Sequence, residues 1–367
     1  MTTSSDKPVS YIAAGAPSVI KAGGVANLDL PILNLATNES SFGASPLALE
    51  AIQKRASDPH RYPDPSSTDL RNAIGNAFDL DPALITCGNG SEEVIDGIAR
   101  VYARPGDEIL FSEYGFLQFP IVCHRTGATA VIAAADGLKT DVDNLLAAVT
   151  DKTKIVFVAN PDNPTGTWIP STEMRRLRDN LPGHVVLVVD SAYCEYVDHP
   201  DFTDGMELVE GHDNVIVTRT FSKAWGLAGL RVGWGYGPAS MIGALNLMRG
   251  IGNVNAMAQA GAVAALKDPA HVDMVRTKTD EARAKFDHDL QRFGVVTVPG
   301  AANFVLVKFP IENTNRRAMD AHRHLAAENI YVRSNEDYGL DDYLRITVGT
   351  TEECDRVIES LERFFAD

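Results

Sequence analysis

Cysteine is scarce in this chain: Cys87, Cys123, Cys194 and Cys354 are the only thiols among 367 residues, and no Cys-x-x-Cys pair occurs. That scarcity excludes a disulfide framework and a thiolate zinc site, and isolated thiols suit a reducing cytoplasm. Histidine offers no metal cage either. His322 and His324 stand two apart in a helical-looking stretch, where that spacing points side chains different ways. Positive charge is in deficit, with 33 Lys and Arg against 49 Asp and Glu and a formal net charge of −16. Nucleic acid and anionic membrane surfaces are therefore excluded as partners. Long apolar runs are missing: Val185-Val186-Leu187-Val188-Val189 is far too short to cross a bilayer. The opening residues, Met1 to Asp6, carry neither the basic region nor the apolar core of a secretory signal.

What is present is an alternation. Between about residues 84 and 236, short β-rich runs (Leu84–Cys87, Glu108–Phe111, Thr129–Ile132, Ile155–Val158, Val185–Val189, Val215–Val217) are separated by amphipathic stretches such as Ser91–Tyr102, Asp141–Val149 and Ser171–Asn180. Near-continuous Val and Ile runs predict strands buried on both faces, in a mostly parallel sheet covered by helices. Such a sheet carries its site at the carboxyl ends of the strands. Beyond residue 255 the pattern predicts a smaller α+β unit: helix His271–Arg292, strand Asn303–Lys308, helix Arg316–Glu328, strand Tyr343–Val348, helix Glu352–Phe365. The expected organisation is an arm and small-domain segment (1–40), a large α/β domain (41–260) and a small C-terminal domain (261–367).

The most informative run is Thr218-Arg219-Thr220-Phe221-Ser222-Lys223-Ala224-Trp225-Gly226-Leu227-Ala228-Gly229-Leu230-Arg231-Val232-Gly233. It sets one amine, hydroxyls and a guanidinium at fixed offsets around a glycine-bearing turn. Burial and neighbouring positive charge help an amine shed its proton, which imine chemistry requires. Hydroxyls and a guanidinium hold phosphate. The run resembles the pyridoxal-phosphate lysine segment of fold-type I aminotransferases, Ser-Lys-x-x-x-x-x-Gly-x-Arg-x-Gly, and the resemblance makes Lys223 the imine-forming lysine.

That cofactor also needs an acid at its pyridine nitrogen, donors to its phenolic oxygen and an anion cradle. Asp190 follows the strand-like Val185–Val189, where by itself it reads first as a turn cap; its place 33 residues before Lys223 matches the aminotransferase pattern and makes it the acid. Tyr193 is a donor to the phenolic oxygen or a tyrosine at the core edge. Asn160-Pro161-Asp162-Asn163-Pro164-Thr165-Gly166 is a rigid turn after a strand. It resembles the family's Asn-Pro-x-Asn-Pro-Thr-Gly signature, which makes Asn163 a further donor. Gly88-Asn89-Gly90-Ser91-Glu92-Glu93 opens a helix whose first N–H groups, at Ser91 and Glu92, can hold a phosphate together with Thr220, Ser222 and Arg231. In Tyr114-Gly115-Phe116-Leu117-Gln118-Phe119 the family spacing puts the ring that stacks on the cofactor at Phe116, with Phe119 where tyrosine is usual; all three rings also suit a core.

Arg61-Tyr62-Pro63-Asp64 resembles the corresponding segment of the histidinol-phosphate aminotransferase family, and the likeness runs from Asn38-Glu39 to Leu344-Arg345-Ile346-Thr347-Val348-Gly349-Thr350. It implies a homodimer in which Tyr62 reaches the neighbouring subunit's cofactor phosphate. It also implies a substrate site with Arg345, Arg333, Tyr11 and Asn38, Arg345 and Arg333 gripping an anion. The expected reaction moves an amino group from histidinol phosphate to 2-oxoglutarate. Three departures bear on the donor: Tyr11-Ile12-Ala13-Ala14-Gly15 lacks the arm's usual proline and lysine, Arg249-Gly250-Ile251-Gly252-Asn253 replaces Arg-x-Pro-Phe-Asn, and Asp162 stands where asparagine is frequent. Aromatic amino acids are the alternative donors. A threonine-phosphate decarboxylase would carry nearly the same motif set; a cofactor-binding or regulatory protein without catalysis is the third reading, against which the intact lysine, aspartate and arginine set speaks.

Overall fold

The computed structural model describes residues 31–310 and 316–366. Seven strands form the main sheet in the order Ile85–Gly88, Gly233–Tyr236, Val215–Thr220, Val186–Asp190, Thr153–Ala159, Glu108–Ser112, Thr129–Ala133. The last five pair in parallel, while Gly233–Tyr236 runs antiparallel to both its neighbours. Alternate residues of each strand enter different cores. Ile155, Phe157, Val186 and Val188 meet the helices Ser91–Tyr102, Gln118–Thr126 and Ala239–Met248, whereas Val156, Val158, Leu187 and Val189 meet Val142–Ala147 and Ser171–Asn180. Both faces are dry, which explains the uninterrupted apolar runs.

A separate four-stranded antiparallel sheet follows, in the order Arg333–Asn335, Leu340–Thr347, Phe304–Lys308, Val296–Thr297. Its core, centred on Phe286, Val307, Leu344, Ile346 and Leu361, is closed by the helices Pro269–Gln291, Ala318–Ala327 and Thr351–Ala366. Leu33–Asn34 pairs with Ile330–Tyr331, so the start of the described chain is bound to this second body. All four cysteines are free and buried.

Several elements depart from the sequence reading. Gly233–Tyr236 is a strand although two of its four residues are glycine: the neighbours leave no room for a side chain at Gly233 or Gly235, while Trp234 and Tyr236 pack into a core. A Cβ at Gly233 would lie 2.3 Å from the Ser91 nitrogen. Helices Ala239–Met248 and Ala256–Ala265 were not expected; both are apolar nearly all round and show no 3.6-residue stripe.

The loop carrying Lys223 is held by one close approach. Gly226 has φ +69°, and a Cβ there would fall 2.2 Å from the Gly43 carbonyl oxygen. Gly226→Ala is expected to destabilise the protein by roughly 2 kcal/mol or more, through backbone conformation and backbone clash together. A urea midpoint unchanged from wild type would show that this loop can yield.

Candidate active site

The carboxyl ends of the parallel strands open into a cavity of about 320 Å³, which the second sheet closes from above. Asn38, Ser91, Glu92, Phe116, Asn163, Asp190, Tyr193, Thr220, Ser222, Lys223, Arg231, Arg333 and Arg345 all line it. Residues 307 positions apart in the chain are thus brought to one place by the crossing of two sheets. Tyr62 does not join them: it is 98 % exposed on this chain. Tyr11 lies outside the described residues.

At the cavity floor Asp190 ends its strand, buried, and its Oδ1 accepts a hydrogen bond from Thr218 Oγ1 at 3.0 Å. Burial pushes its carboxyl up to about 7 against the lowering pull of that bond and of Lys223. The Lys223 amine donates to the carbonyls of Thr37 and Asn38 at 3.3 and 3.2 Å and stands 5.6 Å from the centre of the Tyr193 ring. The Tyr193 hydroxyl accepts from the Asn38 carboxamide at 2.9 Å, and its ring packs edge-on against Phe304.

One end of the cavity is an anion cradle. Helix Ser91–Tyr102 begins there after Gly90, with no side chain capping its first N–H groups. Thr220 donates to the Ser222 hydroxyl at 3.0 Å, which also accepts from Arg231 Nη1 at 3.2 Å; Arg231 Nη2 reaches Glu92 at 3.5 Å. The Ser91 hydroxyl has no partner among the described residues. Uncapped amides, hydroxyls and a guanidinium in one corner suit a phosphate.

The opposite wall comes from the second sheet. Arg345 is buried, donating to Asn163 Oδ1 at 2.5 Å and to the Ala36 carbonyl at 2.6 Å, while its Nε has no hydrogen-bond partner among the described residues. Arg333 pairs with Asp337 at 2.6 Å. Sequence reasoning missed Tyr338, whose hydroxyl accepts from the Leu117 N–H and donates to the Asn163 carbonyl. No motif surrounds it. Asp162, noted only as a departure, is buried beneath the cavity and accepts from the Asn163 N–H at 2.8 Å and from Thr140. Burial raises its carboxyl to about 7. Of the three rings weighed together, Phe116 lines the cavity, whereas Phe119 is wholly buried and stacked on Phe157 at 4.6 Å.

A floor carboxyl, a single amine, an anion cradle and an arginine wall at the ends of parallel strands suit chemistry on an amino compound bearing an anionic group. The sequence pattern of the class I and II aminotransferases matches residues 31–361. The chain belongs to the class I and II aminotransferase family. Among proteins similar to this aminotransferase is the histidinol-phosphate aminotransferase of Paramagnetospirillum magneticum, 46% identical over 91% of this chain and 92% of the relative. The enzyme of the same name from Rhodospirillum centenum is 47% identical over 90% and 91%. A solved structure of histidinol-phosphate aminotransferase from Sinorhizobium meliloti, in complex with pyridoxal-5'-phosphate, superposes with a TM-score of 0.87 at 30% identity, covering 91% of each chain. The architecture of the two sheets is that of the fold-type I aminotransferases.

Proposed function

We propose that this aminotransferase uses pyridoxal phosphate to move the amino group of histidinol phosphate to 2-oxoglutarate, as a cytoplasmic homodimer. The observation that carries the donor is the run of histidinol-phosphate aminotransferases at 44–47% identity over nearly the whole chain. The donor set fits the cofactor. A buried carboxyl whose pKa burial raises is one that a cationic ring nitrogen would draw back down, and the unpartnered Ser91 hydroxyl sits where a phosphate would take it. When bound, pyridoxal phosphate supplies a carbonyl for the substrate amine and a ring that accepts the electron pair left at Cα.

The chain's own groups divide the remaining work. Lys223 would hold the cofactor, and once released its amine would take the proton from the substrate Cα and return it to the former aldehyde carbon on the far side of the substrate nitrogen, as base and then acid. Asp190 would keep a proton on the ring nitrogen by its charge. Asn163 and Tyr193 would address the phenolic oxygen, with Asn38 fixing the Tyr193 hydroxyl; Phe116 would support the ring face. Ser91 and Glu92 through their N–H groups, Thr220, Ser222 and Arg231 anchor the phosphate, joined by Tyr62 of the partner subunit. Arg345 and Arg333, with Tyr11, receive the substrate's anionic group.

Support for the dimer is a surface one. Tyr62, Leu247 and Ile251 are each more than nine-tenths exposed, and Gly252 lies against Pro63, so these apolar side chains sit on adjoining segments. Within this reading residues 41–260 form the cofactor-binding domain and 261–367 the small domain.

Adding histidinol phosphate to the cofactor-loaded protein is expected to abolish the cofactor's visible absorbance band, and 2-oxoglutarate to restore it. Absence of change with histidinol phosphate, but change with an aromatic amino acid, would replace the donor. Carbon dioxide release from threonine phosphate without any acceptor would replace the reaction class.

A further inference from the structure

Gln118 opens the helix Gln118–Thr126 and lines the cavity while only 8% exposed. Its carboxamide makes no hydrogen bond among the described residues. The polar side chains around it are engaged: Tyr338 with Leu117 and Asn163, Arg333 with Asp337, Arg125 with Asp96 at 2.9 Å. The carboxamide atoms are not among the buried side-chain atoms that lack a partner, so they open onto the cavity and offer two donors and an acceptor to what enters it. Ile121 and Arg125 follow at three and seven residues, so one face of this helix lines the cavity with Gln118 in it. Leu117 and Ile121 give that region apolar walls. A flat ring with apolar faces and both an N–H and a lone pair on its edge matches this wall; a phenyl ring offers the carboxamide nothing.

We propose that Gln118 hydrogen-bonds the imidazole of the amino donor and is the side chain by which this site prefers imidazole to phenyl. The proposal rests on histidinol phosphate being the donor. Sites that bond a substrate's polar edge reject analogues lacking it, because the buried group is then left unpaired. The role is one of specificity: Gln118 touches the ring and takes no part in moving the proton.

The test compares histidinol phosphate with phenylalaninol phosphate, which differs only in its ring, as donors for wild type and for Gln118→Met, a change that keeps length and removes the hydrogen bonds. The ratio of kcat/KM between imidazole and phenyl donors should fall about tenfold or more in the variant. Placed in a Lys223→Ala background, the same change should weaken calorimetric binding of histidinol phosphate by a like factor and binding of the phenyl compound far less. An unchanged ratio, or unchanged affinity for histidinol phosphate where turnover is too low to read, overturns the role of Gln118. Failure of the wild type to use histidinol phosphate is a separate result, which removes the donor itself.

Discussion

Lys223→Ala should leave a folded protein whose transamination falls by a factor on the order of 10⁴ or more. Loss of a positioned acid–base group removes about 10²–10⁴ in rate, and loss of the covalent attachment adds to it. The fold should survive because the amine lies in the cavity and bonds only two carbonyls, those of Thr37 and Asn38, which water can then solvate. A stability change within about 1 kcal/mol is expected. Turnover of histidinol phosphate within a hundredfold of wild type, in a preparation with a normal urea midpoint, would remove Lys223 from its assigned role.

The second large effect concerns stability and lies behind the cavity. Arg219 and Glu195 are 6% and 7% exposed and meet at 2.7 Å, while the Trp225 indole donates to the same Glu195 oxygen at 2.9 Å. The guanidinium also lies 4.4 Å from the centre of the Phe78 ring and pairs with Asp204 at 3.2 Å. Glu195→Ala strands a buried cation with only its partly exposed second partner and an unbonded indole. A loss of about 3 kcal/mol or more is expected from denaturant unfolding. Because Glu195 follows Tyr193 by two residues and Trp225 follows Lys223 by two, the same bonds tie the tyrosine turn to the lysine turn. Turnover should therefore fall as well. A cost under about 1 kcal/mol would mean that Asp204 alone satisfies the arginine.

These effects differ in how far the chain announces them. The strand Val186–Asp190 could be read because both of its faces are buried, so composition alone marks it. Helix Ser91–Tyr102 could be read because one face is apolar and the other charged. Arg333–Asn335 could not: a short polar strand depends on its pairing with Leu340–Thr347, which no local pattern encodes. The site divides in the same way. Lys223, Thr220, Ser222 and Arg231 fall within one run, so their spacing could be matched. Tyr338 and Gln118 line the cavity only because distant segments pack against each other, and in the run from Tyr114 to Phe119 the rings outweighed the amide between them. Arg219 stood in the most conspicuous run of all, yet its burial became evident only once Glu195 and Phe78 were beside it.

The wall that holds Arg345 closes on the very start of the described chain. Arg345 donates to the Ala36 carbonyl, and Asn38 bonds Thr347 twice, contacts spanning 309 residues. Contacts of such separation carry the largest loop-closure cost and form late. During synthesis the parallel sheet has all its strands once residue 236 has emerged, but the anion-gripping wall waits on more than a hundred further residues. A ribosome-bound chain at that stage therefore has the amine and the floor carboxyl without the wall that selects what reaches them.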